Sequence, residues 1–130
     1  MRGLHILAEL HGCAAGPALM RDVGPLREVC IGACNGAGLS VVAEAFHAFA
    51  EGGATGAVVL AESHVAVHTW PELDAVTLDI YVCNFSQDNR AAAEAAYVAL
   101  HAAFRPRQAV RRDVIRGELE ADQIKQSNLR

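Results

Sequence analysis

Hydrophobic and polar positions recur along the chain with two periods, and these divide it into strands and helices. Gly3–His11 alternates weakly and predicts a strand. Gly12–Arg21 is rich in small residues and predicts a connection. Leu26, Val29, Cys30 and Ala33 then fall at helical spacing. Asp22 is placed to cap that helix, and Pro25 sits in its first turn, where a missing N–H costs nothing. Asn35-Gly36 followed by Gly38 ends it, because glycine accepts the left-handed helix cap. Leu39–Phe49 is β-branched and aromatic at its two ends and predicts a strand, closed by a turn at Glu51-Gly52-Gly53. Thr55–Ala61 predicts a buried apolar strand, and His64–Trp70 alternates until Pro71-Glu72 breaks it. Val76–Cys83 has period two, with Val76, Leu78, Ile80 and Val82 on one face and Thr77, Asp79, Tyr81 and Cys83 on the other. Asp88 or Asn89 caps a long alanine-rich helix whose buried stripe is Ala93, Tyr97, Leu100 and Phe104. Pro106 stops it, Ala109–Ile115 predicts a last short strand, and Gly117 opens a charged tail.

Strands dominate the middle and two long helices interrupt them. That order predicts an α+β fold, a two-layer sandwich of a mainly antiparallel β-sheet with two main helices on one face. Residues 1–118 form a single domain in this reading, and 119–130 form a polar tail. The length of 130 residues suits one core and leaves no room for a second, substrate-binding domain. With 52% hydrophobic and 20% charged residues, disorder is not expected. A net charge of -4 argues against a nucleic-acid partner, which calls for a basic face. The N-terminal apolar run is short and interrupted by Glu9 and two histidines, so it does not read as a signal peptide. The apolar stretch Ala57–Ala61 is too short to span a membrane. The four cysteines, Cys13, Cys30, Cys34 and Cys83, form no C-x-x-C pair, which removes zinc-ribbon and thioredoxin readings. Cys30 and Cys34, one helical turn apart, read as small buried apolar residues, and the expected home is a reducing cytoplasm.

Candidate chemistry concentrates between Glu62 and Cys83. Glu62-Ser63-His64 falls between two apolar strands, where Asn-Gly or Asp-Gly would make the better hairpin. His64, Ala66, His68 and Trp70 share one strand face, while Ser63, Val65 and Val67 lie on the other. For Ser63 to meet His68, the chain must bend at Ser63 or the sheet must bring another residue across. A zinc site on His64 and His68 fails on distance, since four strand residues span roughly 13 Å; no metal is expected. A serine hydrolase using Ser63, a histidine and Asp79 lacks the G-x-S-x-G elbow. The plain alternative is a set of ordinary polar residues on a half-exposed sheet.

The string Leu60-Ala61-Glu62-Ser63-His64-Val65-Ala66-Val67-His68-Thr69-Trp70-Pro71-Glu72, followed by Leu78–Cys83, resembles the short prokaryotic S-adenosylmethionine decarboxylase proenzymes. The likeness extends to Phe46–Phe49, to Thr55-Gly56 and to His5–Cys13, and covers most of residues 3–118. It implies a chain that makes its own cofactor. The proenzyme cleaves between Glu62 and Ser63, giving fragments 1–62 and 63–130. The serine hydroxyl attacks the preceding carbonyl, elimination from the resulting ester leaves dehydroalanine, and hydrolysis leaves a pyruvoyl group at position 63. By the same resemblance Thr55 and His68 assist processing, and Cys83 is the proton donor in decarboxylation. Phe49 and Trp70 stack or pack on adenine, and Glu72 holds the ribose hydroxyls. A homodimer of processed protomers with sites near the interface is also implied, which suits a small chain with 5% aromatic residues.

Chemistry supports that reading. Loss of CO₂ from an amino acid leaves a carbanion that needs an electron sink, and a carbonyl joined to the substrate amine as a Schiff base supplies one. Pyridoxal phosphate would need an active-site lysine, and Lys125, the only lysine, lies in the polar tail. A pyruvoyl group needs none. A partly buried thiol supplies the acid for the carbanion, which suits Cys83, with Cys13 a less constrained alternative. The chain departs from the family pattern at Asn84, at Ala50-Glu51 and at Leu73-Asp74-Ala75. Relatives with the same processing core act on arginine or ornithine, and Glu72 or Asp79 could pair with either cation. Phe49, Trp70 and Glu72 favour S-adenosylmethionine as the small-molecule substrate, on the route to spermidine. A non-cleaving sheet module is the further alternative.

Overall fold

A computed structural model of the chain describes residues 2–85 and 87–117. Six strands, β1 (Gly3–His11), β2 (Val41–Ala48), β3 (Ala54–Leu60), β4 (His64–Trp70), β5 (Ala75–Cys83) and β6 (Gln108–Arg116), form one sheet. Its order is β2-β3-β4-β5-β1-β6, and every neighbouring pair is antiparallel. Three helices, α1 (Pro17–Arg21), α2 (Val23–Gly36) and α3 (Arg90–Phe104), complete the described elements together with a 3₁₀ turn at Pro71–Leu73. The helices cover one face of the sheet, so the molecule is the expected two-layer α+β sandwich.

The period-two pattern decides which face is covered. Val76, Leu78, Ile80 and Val82 are buried beneath the helices, as are Val65 and Val67 of β4. Leu26, Cys30 and Cys34 of α2 and Leu100 and Phe104 of α3 meet them, each 0% exposed. Burial pushes the thiols of Cys30 and Cys34 up to about 12 and about 11, so both behave as small apolar residues. Among the described residues no helix lies over the opposite face of the sheet. Leu7, Val59, Trp70 and Val114 stand exposed on it.

The elements differ from the sequence reading in four places. The small-residue connection contains the five-residue helix α1, started by Pro17 in its first turn. The strand expected over Leu39–Phe49 is shorter, with a register irregularity between Val41 and Ala43. Pro71-Glu72 is the start of a 3₁₀ turn that Asp74 closes in a left-handed conformation. Asp22 and Asn89 occupy the N-cap positions of α2 and α3, yet neither side chain makes a capping hydrogen bond. The tail at 119–130, with Lys125, lies outside the described residues.

Gly56 has a local reason to be glycine. The ring of Phe46 lies across its α-carbon from the paired strand, so a methyl group there would collide with the ring. Gly56 directly follows Thr55 in β3, beside β2.

Candidate active site

Thr69 sets the geometry of the first cluster. Its side chain is buried, accepts the N–H of Ala54 at 2.8 Å and donates to the carbonyl of Met20 at 2.8 Å. With Thr69 locked inward, alternation turns His68 and Trp70 onto the open face. The register of β3 with β4 then places Thr55 opposite His68. The Thr55 hydroxyl and His68 Nδ1 lie 2.7 Å apart. The sheet therefore brings Thr55, and not Ser63, across to His68. These two residues edge a cavity of about 520 Å³ lined also by Phe49, Trp70 and Glu72. Phe49 and Trp70 are about half exposed, and Trp70 Nε1 donates to Thr77 Oγ1 at 3.4 Å. All five residues named from the sequence as processing or substrate groups on this side, Phe49, Thr55, His68, Trp70 and Glu72, line the same hollow.

The second cluster lies at the other end of β4. Leu60 and Ser63 close a tight hairpin: Leu60 N–H donates to the Ser63 carbonyl at 2.9 Å, and Ser63 N–H donates to Leu60 at 3.4 Å. The corner residues are Ala61 and Glu62, neither with positive φ, so this is not the primed turn that Asn-Gly favours. Ala61 N–H is held by the Ser40 carbonyl at 2.9 Å. The Asn89 side-chain amide joins this turn to the end of β5, donating to Glu62 Oε2 at 3.2 Å and to the Cys83 carbonyl at 2.9 Å. Ser63 borders a small cavity of about 100 Å³ with Glu62, Ser40 and Asn89. Cys83 is buried although it has the parity of the open face. Cys13 follows β1 at the opposite end of the sheet, since Gly3 pairs with Cys83 and Leu10 with Val76. Burial first and Asp74 second push the Cys13 thiol up. Of the two candidate acids, Cys83 lies at the end of the sheet nearer the Ser63 turn, its carbonyl tied to that turn through Asn89.

Between the clusters runs a row that sequence patterns did not reveal. His64 Nε2 and His5 Nε2 both meet Asp79 Oδ2, at 2.8 Å and 2.9 Å. The three ligand atoms are close enough to hold a metal ion. The Arg116 guanidinium, however, donates to His5 Nδ1 at 3.2 Å. An accepting Nδ1 puts the ring proton on Nε2, where it points at Asp79. The row is thus built as hydrogen bonds from two imidazoles to one carboxylate, with Asp79 already engaged. His64 and His68 have separate hydrogen-bond partners, Asp79 and Thr55. No single strand's periodicity shows such a row; it needs the register of β4, β5 and β1 together.

Ser63 immediately precedes β4 and His68 lies five residues on within it, about 16 Å away at roughly 3.3 Å per residue. One copy of the chain therefore holds two partial constellations: a hydroxyl–imidazole pair with a hollow, and a turn at Glu62 and Ser63 tied through Asn89 to Cys83.

Known proteins resemble this chain in sequence and in fold. The profile of the S-adenosylmethionine decarboxylase family matches residues 4–117. An S-adenosylmethionine decarboxylase proenzyme from Carboxydothermus hydrogenoformans is 40% identical over 86 residues, 66% of this chain and 66% of that protein. A proenzyme of the same name from Aquifex aeolicus is 44% identical over 81 residues, 62% of this chain and 58% of that protein. The aligned segments thus span less than two thirds of these relatives' own lengths. The crystal structure of the adenosylmethionine decarboxylase from Aquifex aeolicus superposes with a TM-score of 0.81 at 33% identity, covering 92% of this chain and 93% of that one.

Proposed function

The chain belongs to the S-adenosylmethionine decarboxylase family, and we propose that it is a self-processing decarboxylase of S-adenosylmethionine. The observation that carries this reading is the convergence of Phe49, Thr55, His68, Trp70 and Glu72 on one cavity. An aromatic pair at the mouth suits a flat purine, and a carboxylate on the following turn suits the two hydroxyls of a ribose.

In this reading the Glu62–Ser63 peptide is the bond that breaks. The Ser63 hydroxyl attacks the Glu62 carbonyl, and its proton passes to a nearby base. The amide becomes an ester and frees the nitrogen of residue 63. Removal of the α-proton of residue 63 then expels the Glu62 carboxylate, and water replaces the nitrogen as ammonia. The position fits a group made from Ser63: the turn holds this peptide at a half-buried corner, with the end of β5 and Cys83 linked to it through Asn89. The pyruvoyl group so formed supplies an electron-withdrawing carbonyl for the substrate amine. Thr55 and His68 relay protons in processing, as their 2.7 Å contact supports. Cys83 stores the proton that replaces CO₂.

The separation of Ser63 from His68 leads to a homodimer. One chain cannot present both to a single bond, whereas a second copy packed on the open sheet face can supply His68 and Thr55 to the first copy's Ser63. The exposed apolar residues Leu7, Val59 and Val114 on that face support this packing. The domain of residues 1–118 becomes two fragments, 1–62 and 63–130, within each protomer. Four free cysteines fit a reducing cytoplasm, and no helix among the described residues is long and apolar enough to cross a membrane.

The test is CO₂ release by the purified protein from S-adenosylmethionine, L-arginine and L-ornithine in parallel. Release from S-adenosylmethionine well above the other two is expected. Release from arginine or ornithine alone would overturn the substrate assignment.

A further inference from the structure

Two polar side chains are buried among the described residues, Thr69 and Asn89. Thr69 is accounted for by its bonds to Ala54 and Met20. Asn89 is not accounted for by the helix it begins. At an N-cap, asparagine ordinarily accepts an N–H from the first turn. Asn89 makes no such bond, and Asp88 Oδ1 takes the Arg90 N–H at 3.0 Å instead. The Asn89 amide points inward. Its Nδ2 donates to the Cys83 carbonyl at 2.9 Å and to Glu62 Oε2 at 3.2 Å, and its oxygen accepts from Gln87 at 3.0 Å. Its backbone N–H donates to Asn84 Oδ1 at 2.8 Å. Both atoms facing Nδ2 are acceptors, so the amide has one satisfactory orientation.

We propose that Asn89 is a positioning residue for both stages of the chemistry: it pins the Glu62–Ser63 turn to the end of β5. The proposal rests on the decarboxylase reading above. Before cleavage, the amide fixes the side chain of the residue whose carbonyl is attacked. After cleavage, Glu62 is the last residue of one fragment while Asn89 and Cys83 belong to the other. The same amide then spans the two fragments and keeps Cys83 at a set distance from residue 63. A buried side chain that leaves its ordinary capping task to a neighbour, and ties these two residues together, has a role outside helix stability.

Two variants of the full chain test this. Asn89→Ser keeps a good capping residue and the backbone N–H but removes both amide donors. Asn89→Asp keeps the shape but turns the donors into acceptors facing Glu62. Freshly translated protein is followed by intact mass to obtain the cleavage half-time, and the processed fraction is assayed for kcat and KM. Cleavage slower by about ten-fold or more is expected in both, the scale of losing a hydrogen bond to a carboxylate. The processed fraction should show a lowered kcat at unchanged KM, with the melting temperature little changed. Normal cleavage and kcat in both variants would overturn this proposal alone. So would a rise in KM that tracks a lowered melting temperature, since that is a structural effect only. An unaltered chain that never cleaves would overturn the decarboxylase reading and this proposal with it.

Discussion

Thr55 and His68 face each other across β3 and β4, hydroxyl to Nδ1 at 2.7 Å, while Ser63 stands in the turn before the far end of the strand that carries His68. In the proposed reading the pair acts on the cleavage bond through its proton, so the hydroxyl is the group to test. Thr55→Val keeps the shape and should slow self-cleavage by about ten-fold or more, within the range for general acid–base groups. Thr55→Ser should cleave at nearly the normal rate. Intact mass against time measures both, and normal cleavage by Thr55→Val would remove Thr55 from processing.

Separation of the two clusters gives a sharper test. Chains carrying Ser63→Ala and chains carrying His68→Ala should each stay whole when expressed alone. When they are co-expressed, the His68→Ala chain should be cleaved, because its Ser63 meets the His68 of a Ser63→Ala copy. No cleavage in the mixture would mean that the site is assembled within one chain.

Cys83 is held beside the turn by the fold, whereas Cys13 lies at the other end of the sheet. Cys83→Ala should therefore process almost normally but turn over at least about a hundred-fold more slowly, the lower end for losing a general acid. Cys13→Ala should retain most of its turnover. Comparing kcat of the two processed variants decides between them.

The buried thiols of α2 set an alkaline limit to stability. The thiols of Cys30 and Cys34 are pushed up to about 12 and about 11 in the folded chain, while unfolded thiols ionise near the ordinary value of 9.0. A raised folded value means that the stabilising effect is whole below pH 9.0 and declines as pH rises toward 12. Chemical denaturation at pH 8 and pH 10.5 should show the loss, and a Cys30→Ala, Cys34→Ala chain should show less of it. Both thiols should also resist alkylation at pH 8 until the chain unfolds.

Much of this was legible in the sequence because strand alternation is a local property. Val76, Leu78, Ile80 and Val82 identify the covered face of β5 without any knowledge of its neighbours, and the structure buries all four. The stripe Ala93, Tyr97, Leu100 and Phe104 does the same for α3. What depends on register was not legible. That Thr55 lies opposite His68, or that His5 and His64 share Asp79, follows from strand pairs up to 74 residues apart in sequence. Asn89 stands at the N-cap of α3 as its type suggests, and Asp88 accepts the first-turn N–H, but the acceptors on Glu62 and Cys83 that draw the Asn89 amide inward come from elsewhere in the chain. The helix at Pro17–Arg21 has five residues, too few to show a helical period.

The most direct measurement of the central claim is the intact mass of the purified protein under denaturing conditions. The expected result is two species, residues 1–62 with an ordinary C-terminus and residues 63–130 with a blocked N-terminus that yields no amine to sequencing. A Ser63→Ala chain should give one species of full length. A single full-length species from the unaltered chain, stable through prolonged incubation, would contradict a cofactor made from Ser63.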